Sequence, residues 1–166
     1  LSGTNAGNQT PEQQAVAAFW QGALPQWSSA MRSLTVEQSL DIARAARLFA
    51  VAGLAVGDAA IGCYDDQYHW MFWRPVTAIA EAATDGNDAT EPDRAWVDAH
   101  AGSPPYPDHP SGFNCYAGAY AGALTETFGT DEMAFSVIGL DGAKPRSYDS
   151  FSQALDEVIE ARILQG

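Results

Sequence analysis

Apolar and polar positions along this chain recur with a helical period almost from end to end. Residues 1–9 are polar and rich in Gly and Asn, a loose lead-in. Thr10, Pro11 and Gln13 then supply a capping residue, a first-turn proline and a capping-box partner, and Ala15, Phe19, Trp20 and Leu24 form an apolar stripe up to Pro25. Thr35 and Gln38 repeat the capping pattern. They predict a long second helix with apolar positions Leu40, Ala43, Ala46, Leu48, Val51, Leu54, Ala55 and Ala59, continuing toward Tyr68. Arg74-Pro75 interrupts the pattern, and "PVTAIAEAA" restarts it as a short third helix. From Thr84 to Pro110 the chain is rich in Gly, Asp, Asn and Pro around Trp96, a loop long enough to carry function or to be pinned by an aromatic anchor. A fourth helix is predicted from about Ser111 to Gly129, a helical turn at "DEMAFSVI", and a last helix from about Ser150 to Leu164. No alternation of period two persists. The expectation is an all-α helical bundle without internal repeats, with residues 10–166 as a single domain.

Composition narrows the partners. The 166 residues, 46% hydrophobic and 17% charged, suit one globular domain. A net charge of −13 with only eight Lys and Arg residues excludes nucleic acid and anionic membrane surfaces as partners, since both are held by clustered cations. The longest apolar run, "LFAVAGLAVGDAAIGCY", is interrupted by Asp58, so no membrane span is expected. The chain starts at Leu1 without Met, as a processed protein or a piece of a larger one does. Cys63 and Cys115 are either two buried thiols or a disulfide. With three scattered histidines they lack the ligand-pair spacing of a zinc site.

With so few cations, those at turns and helix ends stand out. Arg74 sits at a helix junction, where its guanidinium and the free amides of a helix start together suit an oxyanion; pairing with a carboxylate is the structural alternative. Ser111-Gly112 follows Pro110 at a helix entrance. The Ser is a natural cap, and the Gly lets backbone approach a ligand closely. Arg162 lies near the carboxyl end of the last helix, where the dipole favours a cation. His100 reads as a solvated loop residue and His69 as a packing residue. His109, beside the Ser-Gly turn, has either a loop-packing role or that of a proton donor to a bound anion.

In order, "DDQYHWMFWRPVTAI", "YPDHPSGFNCYAGA" and "SFSQALDEVIEARILQG" resemble the vanadium-dependent haloperoxidase and type 2 phosphatidic-acid-phosphatase superfamily, with "FWRPVTAI" leaning to the haloperoxidase branch. The resemblance runs through nearly all of residues 11–166 and implies a helical bundle holding vanadate or phosphate. It assigns Arg74, Ser111, Gly112, Arg162 and Gln67 to the oxyanion, with sulfate as a further occupant. Gln67 stands two helical turns before Arg74 where the family carries Lys, Phe113 stands where it carries the acid-base His, and Ala161 stands where it carries Ser. His109 is then the candidate substitute acid-base. The family's vanadium-ligating or nucleophilic His would fall just beyond Gly166, so the domain is expected to be incomplete at its C-terminus. Two functions follow from the resemblance. One is an enzyme that oxidises halide with peroxide or hydrolyses phosphate esters; the other is a degenerate member that binds an oxyanion or serves structurally without turnover. The resemblance also implies a small-molecule substrate, an exported or cell-envelope location and a homodimer.

Overall fold

The computed structural model describes residues 9–98, 103–140 and 144–165. Helix α1 (Pro11–Phe19) opens on the expected capping box. Thr10 Oγ1 accepts from the Gln13 amide at 3.2 Å, and Gln13 Oε1 accepts from the Thr10 amide at 2.9 Å. Pro25 does not end this region. A 3-10 turn at Trp20–Gly22 offsets the chain, and α2 (Ala23–Glu37) takes Pro25 into its first turn, where a missing N–H costs nothing.

The predicted second helix start is corrected. Thr35 lies inside α2 with its hydroxyl donating to the Arg32 carbonyl at 2.7 Å. The next helix, α3 (Ile42–Trp70), is capped instead by Asp41, whose carboxylate accepts from the Arg44 amide at 2.8 Å. The stripe on α3 is corrected as well. Its buried positions are Leu48, Ala52, Cys63 and Gln67, whereas Leu54 is 70% exposed and Ala43 and Ala46 face solvent. A helix built mostly from Ala and Gly offers apolar positions on every side, so the period alone does not select the packed one. The stretch Ile42–Ala80, which contains α3, has the length and composition to cross a membrane; Asp58, Asp65 and Asp66 lie exposed along it.

Pro75 opens α4 (Pro75–Ala80), and a 3-10 turn at Ala82–Thr84 leads into the long loop. Helix α5 (Gly112–Phe128) ends at Gly129, whose φ of 72° is the left-handed C-cap that glycine adopts without strain. The segment expected to form a helical turn contains a strand. β1 (Phe135–Val137) pairs antiparallel with β2 (Arg146–Tyr148), Phe135 opposite Tyr148 and Val137 opposite Arg146. Phe135 and Val137 are buried while Ser136 points out to Ser147, an alternation only three residues long. Helix α6 (Phe151–Gln165) closes the bundle.

Helix α5 is the centre: α3 runs along it, α2 and α6 pack on it, and α6 turns back against α1. Ala117, Ala121 and Ala123 on α5 let these neighbours come close. Aromatics fill the remaining core. Trp20, Trp27 and Phe151 are fully buried, Trp27 stacks on Tyr120 with centroids 6.1 Å apart, and Phe135 touches Phe151 at 5.3 Å. Each such ring pair adds about 0.5–1.5 kcal/mol beyond its buried area. The end of α6 is tied down by Gln9, expected in the loose lead-in but buried, with its amide donating to the Leu164 carbonyl.

Candidate functional site

A cavity of about 720 Å³ opens between the end of α3, the long loop, the start of α5 and the last turns of α6. Gln67, Arg74, His109, Ser111, Gly112, Phe113 and Arg162 all line it. Residues from four separate segments therefore meet around one pocket. His100 lies outside the described residues, and His69 is exposed with its ring edge on Trp70 rather than packed inside.

Arg74 is held by the loop it faces. Its Nε donates to the Tyr106 carbonyl at 2.9 Å, Nη2 to the Pro107 carbonyl at 3.4 Å, and Nη1 lies 3.2 Å from Asp108 Oδ1. The guanidinium carbon sits 4.8 Å from the centroid of the Tyr106 ring, a cation–π contact that fixes its plane. The loop is anchored in turn by the Asp108 amide, which donates to the Phe72 carbonyl at 2.9 Å. Both sequence alternatives for Arg74 thus hold in part: it pairs with a carboxylate and it lines the pocket.

Arg162 reaches in from α6 and lies 4.7 Å above the Phe113 ring. Its Nη1 donates to Gln165 Oε1, and Gln165 Nε2 donates to the Ala17 carbonyl at 2.6 Å, so the guanidinium is braced through Gln165 against α1. Burial, and secondarily the charge of Arg74, pull its pKa down from the usual arginine range. A buried guanidinium with a second one nearby marks a place where an anion is stabilising. Ala161, at the position before Arg162, is fully buried in the core and does not line the cavity.

Ser111 precedes α5 with an extended backbone, but its hydroxyl makes no capping bond. The expected cap is therefore corrected. That hydroxyl and the first amides of a 17-residue helix remain available to a ligand. Gly112 leaves the approach open: a Cβ there would meet the Tyr116 hydroxyl at 3.6 Å, so the phenol stands beside the helix entrance. Burial, then hydrogen bonding to Tyr64, pushes the Tyr116 phenol up to about 12, which keeps it a donor at neutral pH.

Gln67 is 1% exposed, and its Nε2 donates to the Pro110 carbonyl at 2.6 Å. Its amide supports the turn from beneath and brings no charge. The Cys63 thiol donates to the same carbonyl at 3.5 Å. Both cysteines are free, which selects the thiol reading over the disulfide; burial and the neighbouring Cys115 thiol raise Cys63 to about 12. His109 is exposed, with its ring edge-on to Phe72 at 6.5 Å and within the cavity lining, and among the described residues its side chain makes no hydrogen bond. Sequence reasoning missed Asp108, Tyr106, Tyr116 and Gln165. Only the position of Asp108 inside "PYPDHPSG" and of Gln165 one turn after Arg162 signalled them.

Two guanidinium groups, a hydroxyl and the first amides of a helix thus face one cavity in a helical bundle. A family model described as the VCPO second helical-bundle domain matches residues 47–166. The chain belongs to this family, within the vanadium haloperoxidase superfamily. Among solved structures it is similar to the one described as the first bacterial vanadium-dependent iodoperoxidase, with 27% identity and a TM-score of 0.79. The match covers 96% of this chain and 38% of that one. No curated protein matches the chain.

Proposed function

We propose that this pocket binds a tetrahedral oxyanion, vanadate or phosphate, and serves peroxide-dependent halide oxidation or phosphate-ester hydrolysis. The observation that carries the reading is the convergence of Arg74, Ser111, Gly112 and Arg162, far apart in sequence, on one cavity. The donor set fits a tetrahedral anion, because planar guanidinium forks and helix-start amides match its oxygens. Bound vanadate supplies the centre that activates peroxide.

This chain's residues hold and orient the anion. Arg74 and Arg162 both line the cavity, Gln165 and the Tyr106 carbonyl fix their planes, and Phe113 provides an apolar floor beneath Arg162 that excludes water. Proton transfer falls to His109, the one described histidine lining the cavity.

A second reading has its own support. Gln67 spends its amide on the backbone and Phe113 carries no proton, so the pocket lacks a cation and an acid-base group relative to the superfamily pattern. An acid-base group alone contributes about 10²–10⁴ in rate. On this reading the bundle holds the anion without turnover.

The test is direct. Full-length protein is titrated with vanadate and phosphate, then assayed with bromide, peroxide and a halogenation dye and, in parallel, with a chromogenic phosphate ester. Arg74→Ala and Arg162→Ala should each weaken oxyanion binding by about tenfold or more, as expected for a lost charged hydrogen bond. Unchanged affinity in both variants refutes the site. Binding without either activity leaves the second reading.

A further inference from the structure

The charges lining the cavity cancel. Arg74 and Arg162 are matched by two carboxylates, Asp98 and Asp108. Asp108 Oδ1 is paired with Arg74 at 3.2 Å, and among the described residues its Oδ2 receives no hydrogen bond. Its negative charge also acts on Arg162. Asp98 accepts from the Ser103 hydroxyl through Oδ2 at 2.6 Å, while its buried Oδ1 has no partner among the described residues. The pocket walls therefore hold acceptors as well as donors where an anion would sit.

A carboxylate facing an oxyanion discriminates by protonation. An anion oxygen bearing a proton donates to the carboxylate, and the contact is a charge-assisted hydrogen bond. A bare oxygen in the same place sets acceptor against acceptor and charge against like charge, which the 37% exposure left to Asp108 screens only in part. Phosphate and vanadate carry an O–H at neutral pH, whereas sulfate carries none. The donors facing the cavity do not make this distinction: the arginines, the Ser111 hydroxyl, the Gly112 amide and the Tyr116 phenol are all able to donate to any oxyanion, and of the two carboxylates Asp108 is the one paired with an arginine of the site.

Resting on the oxyanion reading above, we infer that Asp108 is a specificity-determining residue. It accepts a hydrogen bond from an anion O–H, so that the pocket takes protonated tetrahedral oxyanions and rejects sulfate. Asp108 serves Arg74 with one carboxylate oxygen and the ligand with the other. Its backbone, pinned to the Phe72 carbonyl, sets that oxygen's position before the anion arrives.

The experiment compares inorganic phosphate, vanadate and sulfate by calorimetric titration of the full-length protein at neutral pH and constant ionic strength. Wild type should bind phosphate and vanadate with sulfate about tenfold weaker or worse, the scale of one charged hydrogen bond exchanged for a repulsive contact. Asp108→Asn keeps an acceptor for Arg74 and presents an amide donor to the anion. It should bring sulfate affinity up toward that of phosphate. Equal binding of sulfate and phosphate by wild type overturns the inference while leaving the oxyanion pocket standing, and so does a sulfate-to-phosphate ratio that Asp108→Asn leaves unmoved. If wild type binds none of the three, the pocket reading and the inference fall together. Should the variant fail to fold, the wild-type ratio decides the matter alone.

Discussion

Glu157 offers the sharpest test of how α6 is fastened to the rest of the bundle. Its carboxylate, on α6, accepts from Trp20 Nε1 at 2.8 Å, Tyr148 Oη at 2.6 Å and Arg146 Nε at 2.7 Å through one oxygen, and from Arg146 Nη2 at 2.8 Å through the other. The side chains of Glu157 and Arg146 are 18% and 24% exposed. Glu157→Gln removes the charge and turns the second oxygen into an NH₂ that confronts Arg146. Breaking a fully buried pair costs about 3–5 kcal/mol, and partial solvent access to both partners, with Glu12 still bonded to Arg146, reduces this to about 2–3 kcal/mol. At about 2–4 °C per kcal/mol for a chain of this size, the melting temperature should fall by about 5–10 °C at neutral pH, read by circular dichroism. Acid supplies an independent check. Burial alone would raise the Glu157 carboxyl, but hydrogen bonds from Arg146, Tyr148 and Trp20 outweigh it and hold it below the usual range. A depressed folded-state pKa gives stability that is present above the unfolded value, about 4.3, and lost as pH falls through the folded one. The gap between wild type and variant should therefore close in acid. A melting temperature unchanged at neutral pH, or a gap as wide at pH 3 as at pH 7, refutes the assignment.

Three further outcomes are expected. Phe113→His restores an acid-base side chain beneath Arg162 and should raise whichever turnover the protein has by at least about tenfold, part of the 10²–10⁴ such a group supplies; no gain with oxyanion binding intact would place the missing function elsewhere. Gln67→Leu leaves the Pro110 carbonyl with only the long Cys63 contact and should cost about 1–2 kcal/mol in denaturant unfolding, with a looser Ser111-Gly112 turn seen as faster amide exchange at the start of α5. Gly129→Ala forces a Cβ into φ 72° and should cost about 1–2 kcal/mol in the same measurement while leaving anion affinity unchanged.

Helix existence was legible where caps and breakers are local. The Thr10–Gln13 box, Pro75 and Gly129 each act within a turn of their own position, and each marks a helix end in the structure. Thr35 misled because a hydroxyl inside a helix bonds back to the preceding turn as readily as it caps a new one. β1 escaped notice because three residues carry too little alternation to outweigh a helical context. The packed face of α3 was unreadable for a different reason. Its small residues are apolar everywhere, and only the shape of α5 decides that Leu48, Ala52, Cys63 and Gln67 turn inward.

The site divides along the same line. Arg74, Ser111, Gly112 and Arg162 were legible because their order along the chain matched a known pattern, and the bundle brings all four to one cavity. The residues that give the pocket its own character were not. Asp108, Tyr116 and Gln165 act through geometry that no spacing encodes: a carboxylate set 3.2 Å from an arginine, a phenol against a glycine, an amide bridging α6 to α1. Each changes what the two arginines can do. Gln165 aims one, Asp108 pairs with the other, and Tyr116 adds a neutral donor beside the turn. A pocket with two cations, two carboxylates and neutral donors is suited to an anion of low charge that can donate as well as accept. On the oxyanion reading proposed above, that property, rather than the number of positive charges retained from the superfamily pattern, sets which anion the pocket takes.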